Sequence, residues 1–203
     1  MSSTRDLPGQ VVLAPEQVPA EVVEKAAAGD RAAQEAVLEG TSTFVRRMLY
    51  KLIGRVDDLE DLQQTVLMRI VTGLPRWRRE SALSTWVGGI CVNVSRDYLR
   101  QRRTRSVELD GEPAERALQN RPASSDLQGE AEAREELRRC RSALDRLSVN
   151  HRTAFVLKTL GHSVEEIAQM TGSATSTTRL RLYYARKAFT RALAATAPQA
   201  EGA

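Results

Sequence analysis

The chain has 203 residues, enough for one large or two small domains, and 30 Lys and Arg against 26 Asp and Glu leave it a formal charge of +4. No run of 18 apolar residues and no charged-then-apolar leader occurs, which argues against membrane insertion and predicts a cytoplasmic protein. Cys91 and Cys140 stand alone and His151 and His162 form no ligand cluster by spacing, so neither a disulfide framework, a metal site nor a cofactor is expected.

Aromatic residues make up 4% of the chain, long segments carry apolar residues at steps of three and four, and strand-like alternation is absent over any useful length. The fold class expected is therefore all-α. The charge is laid out in blocks: residues 1–68 sum to −4, 69–105 to +7, 106–136 to −6 and 137–203 to +7. Two basic blocks separated by an acidic one predict two surfaces for a polyanion, joined by a segment that is not one.

Residues 1–19 hold three prolines and no helical period and are read as a flexible lead. An Ala-rich helix is expected from Ala20 to Ala28, ended by Gly29. Asp30 can cap the next, which runs through Ala33, Val37, Phe44, Met48 and Leu52, with Gly40 and Thr41 expected to bend or divide it. Asp57 and Asp58 open a compact helix, DDLEDLQQTVLMRIV, whose buried row is Leu59, Leu62, Val66 and Ile70. Its other face presents Asp61, Gln64, Thr65 and Met68, either ordinary surface or a docking face for helices of another protein.

A short basic connection containing Trp77 leads to the stretch on which the chain turns, ESALSTWVGGICVNVSRDYLRQRRTR. Leu83, Trp86, Val87, Ile90, Val94 and Tyr98 form an apolar stripe, and Ser81 is the expected cap. Ser84, Thr85, Asn93, Arg96 and Arg100 are expected on the polar face, with nine Arg against two acids between positions 69 and 105. Such a face suits phosphates and exposed bases. From 106 to 129 the periodicity dissolves into Pro, Gly, Ser and acids, a flexible acidic linker. A helix resumes at Glu130 with Leu137, Cys140, Leu144 and Leu147 as its apolar row.

The last segment is the most specific. Ser148 caps a helix that Gly161 ends. Ser163 with Glu166 forms a capping box for a short helix that Gly172 ends, and a longer basic helix, STTRLRLYYARKAFTRAL, follows. Short helix, Gly turn and basic helix make a helix-turn-helix pattern, with Ala168 at the crossing and Arg179 and Tyr183 facing outward.

These two segments resemble a bacterial RNA polymerase sigma factor of the extracytoplasmic-function (ECF) type. DLEDLQQTVLMRIV is similar to that family's core-binding helix, ESALSTWVGGICVNVSRDYLR to its strand-opening helix, and LSVNHRTAFVLKTLGHSVEEIAQMTGSATSTTRLRLYYARKAFTRAL to its region four. The resemblance implies two small helical domains, region two at 20–105 and region four at 130–195, with the linker at 106–129 and a tail at 196–203. It implies core RNA polymerase, promoter DNA and an anti-sigma factor as partners, and no chemistry on this chain. Asp58, Asp61, Gln64, Thr65 and Met68 would bind core polymerase. Trp77, Arg78, Arg79, Ser81, Trp86, Asn93, Arg96 and Arg100 would bind the −10 element, Arg78 and Arg79 at phosphates. Thr175, Ser176, Arg179, Leu180, Arg181, Tyr183, Tyr184 and Lys187 would read the −35 element, with Arg186 also near phosphate. The chain departs from the family pattern at Thr65, where a carboxylate is usual, at Gly88 and Gly89, where Tyr and Arg are usual, and at Asn150, His151, Ser176 and Thr178.

Two other classes compete on the residues alone. A duplex-binding regulator would leave the Asp61–Gln64 face unexplained and needs a dimer on a palindromic site. An enzyme would need a nucleophile motif or phosphate loop, and neither is in the sequence.

Overall fold

The computed structural model describes residues 15, 18–54, 56–108 and 127–196. Most of the expected lead, the expected linker from 109 to 126 and the tail after 196 lie outside the described residues. Among those described there are eight α-helices and no strand, so the all-α expectation holds. They are α1 (Ala20–Ala27), α2 (Arg31–Ile53), α3 (Leu59–Gly73), α4 (Leu83–Glu108), α5 (Leu127–Asp145), α6 (Val149–Thr159), α7 (Val164–Thr171) and α8 (Thr175–Ala194), with a 3-10 turn at Leu74–Arg76. No helix among the described residues is long and apolar enough to cross a membrane. The chain forms two compact units that divide between Val94 and Ser95, inside α4.

In the first unit, α2 packs on α1 and α3. Asp30 caps α2 as its sequence position predicts, its carboxylate accepting from the Ala33 amide at 2.8 Å, an interaction whose loss to Ala typically costs about 1 kcal/mol. Gly40 and Thr41 neither bend nor divide α2, which is continuous to Ile53. Thr41 is fully buried with its hydroxyl donating to the Val37 carbonyl at 2.8 Å, so its polar group is satisfied inside the helix. Gly40 is required by a close approach: a Cβ there would stand 2.6 Å from Val18 Cγ2. Leu49, Leu52, Val66, Ile70, Leu74 and Val87 fill the centre of this unit. Burying each such side chain contributes about 1.5–3 kcal/mol before the entropy of ordering is deducted. Leu59 and Leu62 of the expected α3 row are only half-buried, because the first turn of α3 stands at the margin of that packing.

The buried face of α4 is wider than the expected stripe. Leu83, Val87, Cys91, Val92 and Val94 are buried, whereas Trp86, Ile90 and Tyr98 are half-buried. Thr85, expected on the polar face, is buried. Burial also pushes the Cys91 thiol well above the usual thiol range, which leaves it a small core residue and not a reactive one. The cap of α4 is Ala82, whose carbonyl accepts from the Trp86 amide at 3.1 Å, and not Ser81. Both α4 and α5 also extend into the expected linker, to Glu108 and from Leu127.

The second unit is organised on α8, against which α5, α6 and α7 pack. Ala143, Leu147, Leu157, Ile167, Thr178 and Ala185 are buried there. Phe155 of α6 meets Phe189 of α8 with ring centroids 4.8 Å apart. Leu137 is exposed rather than part of the apolar row of α5, which turns its Ala143 face inward.

Candidate nucleic-acid interface

Three exposed surfaces carry the residues that the sequence singles out. On α3, Asp61, Gln64 and Thr65 are exposed and Met68 is 69% exposed, opposite the fully buried Val66 and Ile70. Asp58 is exposed at the N-terminal end of the same helix. The helix is held from behind by Gln63, whose amide donates to the Ser42 hydroxyl of α2 at 2.9 Å. Thr65 donates its own hydroxyl to the Asp61 carbonyl at 2.9 Å, so that donor is engaged within the helix. An exposed thioether beside an acid and an amide gives a face that is polar, adaptable and rigidly backed.

The second surface is the connection from the 3-10 turn to α4. Trp77 and Trp86 stack, ring centroids 5.6 Å apart at 26°, and both are half-buried. On its other edge Trp86 meets the last residue of α3: a Cβ on Gly73 would stand 2.9 Å from Trp86 Cζ2. The Trp86 ring is thus in close contact with both Gly73 and Trp77, and the indole Nε1 of Trp77 is buried without a hydrogen bond among the described residues. Arg78 is exposed with Glu80 at 4.0 Å. Arg79 is exposed too, but its Nη1 donates to Glu24 of α1 at 2.6 Å. Ser81 is half-buried and Asn93 is exposed on α4.

The structure therefore gathers Trp77, Trp86, Arg78, Arg79 and Ser81 around one loop of the first unit. Arg96 falls in the second unit. There its Nη1 donates to the Thr171 carbonyl at 3.2 Å, and burial, followed by the charges of Arg181 and Arg100, holds its guanidinium below the usual arginine range. Arg100 is exposed.

The third surface is α7, its turn and α8. Ser163 accepts from the Glu166 amide at 3.1 Å, and the Ser163 amide donates to the Glu166 carboxylate at 2.7 Å, which completes the capping box read in the sequence. The Ser163 amide first, and then the Ser163 hydroxyl, pull the Glu166 carboxyl below the usual carboxylate range. Gly172 ends α7 in the left-handed region, φ 60° and ψ 39°, a conformation that costs a residue with a Cβ about 1–2 kcal/mol. The chain then turns into α8 through Ser173 and Ala174. Ala168 is buried beneath the turn, its carbonyl accepting from the Ser173 amide at 2.9 Å.

With Thr178 and Ala185 buried, α8 turns Ser176, Arg179, Leu180, Tyr183, Tyr184 and Lys187 outward, and Tyr183 is 61% exposed. Thr175 and Arg181 are half-buried, and Arg181 donates to the Ser173 hydroxyl. Arg179 lies 3.4 Å from Glu165 of α7. Tyr184 contacts both His151 and Tyr183 through its ring. This outward row of one long guanidinium, apolar surface and phenols has the reach and donor set for base edges in a major groove.

Reasoning from sequence did not find Glu24, which lies 55 residues from its partner, or Glu165 as the neighbour of Arg179. For Glu165 a signal existed: it is the acid beside the capping-box Glu166 on a helix that must pack against α8.

The chain matches the family model for Sigma-70 region 2 over residues 38–105 and that for Sigma-70 region 4 over residues 137–189. It is 30% identical over 143 residues to the "ECF RNA polymerase sigma factor EcfG" of Rhodopseudomonas palustris (strain TIE-1), covering 70% of this chain and 75% of that protein. It is 31% identical over 139 residues to the "ECF RNA polymerase sigma-E factor" of Escherichia coli (strain K12), covering 64% and 71%. Among solved structures it is similar to the sigma factor RpoE of Bartonella quintana in its co-crystal with the anti-sigma factor NepR, with a TM-score of 0.57, 26% identity, and 80% of this chain and 98% of that one covered.

Proposed function

The chain belongs to the ECF RNA polymerase sigma factors, and on that premise we propose how its exposed faces divide the work of starting transcription. The observation that carries the reading is the pairing, on one chain, of a rigidly backed polar face on α3 with a capped helix-turn-helix whose α8 turns Arg179, Leu180 and Tyr183 to solvent. A duplex-binding regulator needs only the second of these.

Asp58, Asp61, Gln64, Thr65 and Met68 dock on core polymerase. Docking is a surface event: the residues that hold α3 in place, Val66, Ile70 and Gln63, are not the ones that meet the partner. The loop with Trp77, Arg78 and Ser81, and Trp86 and Asn93 on α4, receive the unpaired −10 strand. Unstacking a base costs a few kcal/mol, and a shaped pocket with phosphate-binding cations recovers it. The Asn93 amide offers donor and acceptor together, and an exposed amide on a helix fixed by Val92 and Val94 is held in place for a base edge. Arg100 supplies a cation to phosphates, and Arg96 would do so only by giving up its bond to the Thr171 carbonyl. On the −35 duplex, Arg179 and its neighbours Thr175, Ser176, Leu180, Tyr183 and Tyr184 read bases, while Arg181, Arg186 and Lys187 hold backbone phosphates.

No bond is made or broken by this protein in the reading; its task is to bind, position and open, beside a cytoplasmic polymerase. An anti-sigma factor is the regulator expected to cover these faces, a reading supported by the Bartonella quintana relative, which is a complex with one.

The test is reconstitution. Purified chain with core polymerase should start specific transcripts from a promoter library, and Asp61→Arg with Gln64→Ala should fold normally yet lose co-purification with core. Absence of specific transcripts with the wild-type chain overturns the reading.

A further inference from the structure

Arg79 is the one non-glycine residue among those described with a positive φ, at 58°. Side-chain crowding in that region lowers its population by roughly 5- to 30-fold relative to right-handed backbone, so a residue found there is held there. Two contacts flank it. The Trp77 amide donates to the Leu74 carbonyl at 3.1 Å, and the Trp77 ring is stacked on Trp86, which fix the start of the loop. Neither restrains position 79 itself. At position 79 itself the contact is with Glu24, whose carboxylate accepts from Arg79 Nη1 at 2.6 Å.

Glu24 is a firm anchor. It sits on α1 between the buried Val23 and Ala26, and α1 packs both on α2 and on the 3-10 turn from which the loop departs. The pair is half-exposed, 49% for Arg79 and 56% for Glu24, and pairs of that kind shift an equilibrium by roughly 1.4- to 5-fold. That offsets at most the lower part of the backbone preference it opposes, so the pair adds to what the closure of the loop itself supplies. Losing the carboxylate would let position 79 return to right-handed backbone and move the neighbours Arg78 and Ser81.

We propose that Glu24 is a positioning residue for strand opening: from α1, outside residues 38–105 that match region two, it holds Arg79 and so sets the loop that presents Arg78 and Ser81 to the unpaired strand. Arg79 is then a structural member of the loop and not a phosphate contact. This rests on the function proposed above.

The experiment uses the full chain with core polymerase and follows permanganate reactivity of promoter thymines, with core co-purification and thermal melting as parallel readouts. Wild-type opening establishes the underlying function, so a failure there is read separately from a failure of the latch. Glu24→Gln should lower the opening rate by about 2- to 5-fold while core co-purification and melting stay as in the wild type. Exchanging the charges, Glu24→Arg with Arg79→Glu, should recover most of that loss. In an Arg79→Gly background, where positive φ carries no penalty, Glu24→Gln should have no further effect. Wild-type opening by Glu24→Gln overturns the proposal. So does failure of the exchanged pair, which would assign Arg79 to DNA directly, and so does a loss of melting temperature or core binding in proportion to opening, which would make Glu24 a general support of the fold.

Discussion

Gly73→Ala tests the clamp around Trp86. Gly73 closes α3, and a Cβ there would stand 2.9 Å from Trp86 Cζ2, closer than real Cβ atoms come to their neighbours, so the indole must shift. Its room is reduced by Trp77, which is stacked on it with ring centroids 5.6 Å apart. Two effects oppose each other. Alanine gains up to about 1 kcal/mol over glycine in a helix, less at a terminal residue. Overpacking a fitted site costs about 1–3 kcal/mol. The net expectation is a destabilisation of up to about 3 kcal/mol. The chain has two tryptophans, both in this stack, so indole emission followed through urea unfolding reports on this site in the first unit alone. Gly73→Ala should change the native emission and lower the midpoint. Trp86→Phe removes the atom that is struck, so in that background Gly73→Ala should be neutral or stabilising, a coupling of about 1–3 kcal/mol by double-mutant cycle. Additivity of the two changes within about 0.5 kcal/mol would refute the clamp.

Two further outcomes concern the second unit. The Glu166 carboxyl, pulled below its usual range first by the Ser163 amide and then by the Ser163 hydroxyl, contributes stability that is present above the unfolded value of 4.5 and lost as pH falls through the lowered folded value. His162 is likewise lowered from 6.5, by burial against the weaker opposing pull of Glu166 at 4.0 Å, so it begins an earlier decline below pH 6.5. Urea midpoints between pH 7 and 3 should show both limbs, with Glu166→Gln flattening the lower one, and an unchanged acid slope in that variant would contradict the capping account. Separately, Glu165→Ala releases Arg179 from a mostly exposed pair at 3.4 Å and removes a carboxylate beside the phosphates. Duplex affinity in a mobility shift should rise about 2- to 5-fold, and weaker binding would show instead that Glu165 aims the guanidinium.

What the sequence discloses here follows from how far apart the interacting groups lie along it. Helix ends were legible wherever a side chain bonds its own backbone within three residues, as at Asp30, Ser148 and the Ser163–Glu166 box. They were misread at Ser81, where residue type suggested a cap but the first helical carbonyl belongs to Ala82. The polar face of α3 was legible because one side of that helix is buried and the other is not. Helix α4 is harder, since neighbours enclose more than one side of it: Thr85 goes inside while Trp86, taken as part of the stripe, is clamped at a margin. Glycines carry the least readable information. Gly40 reads as a helix breaker and is instead the point where Val18 crosses α2, and Gly73 reads as a stop and is also the floor beneath Trp86. Both roles depend on a second segment that no local pattern identifies.

The same distinction separates two arginines that look alike in the sequence. Arg79 and Arg179 each stand in a basic block, each is exposed, and each is met by one glutamate. Arg179 extends from regular helix, its partner is 3.4 Å away on the adjoining α7, and both side chains are about two-thirds exposed. Such a pair is worth at most about 1 kcal/mol, whereas hydrogen bonds to charged groups are worth about 1.5–3 kcal/mol. In the function proposed above, exchange of Glu165 for a base edge or phosphate is therefore downhill. Arg79 differs in its backbone. Its left-handed conformation opposes the preference of an L-residue, and Glu24 is attached to a helix that packs on the turn before the loop. On the proposal above, giving up Glu24 for a phosphate would weaken the hold on that conformation along with the contact. Charge in the block 69–105 thus overstates the cations available to DNA, because an acid from the first block is already committed to one of them.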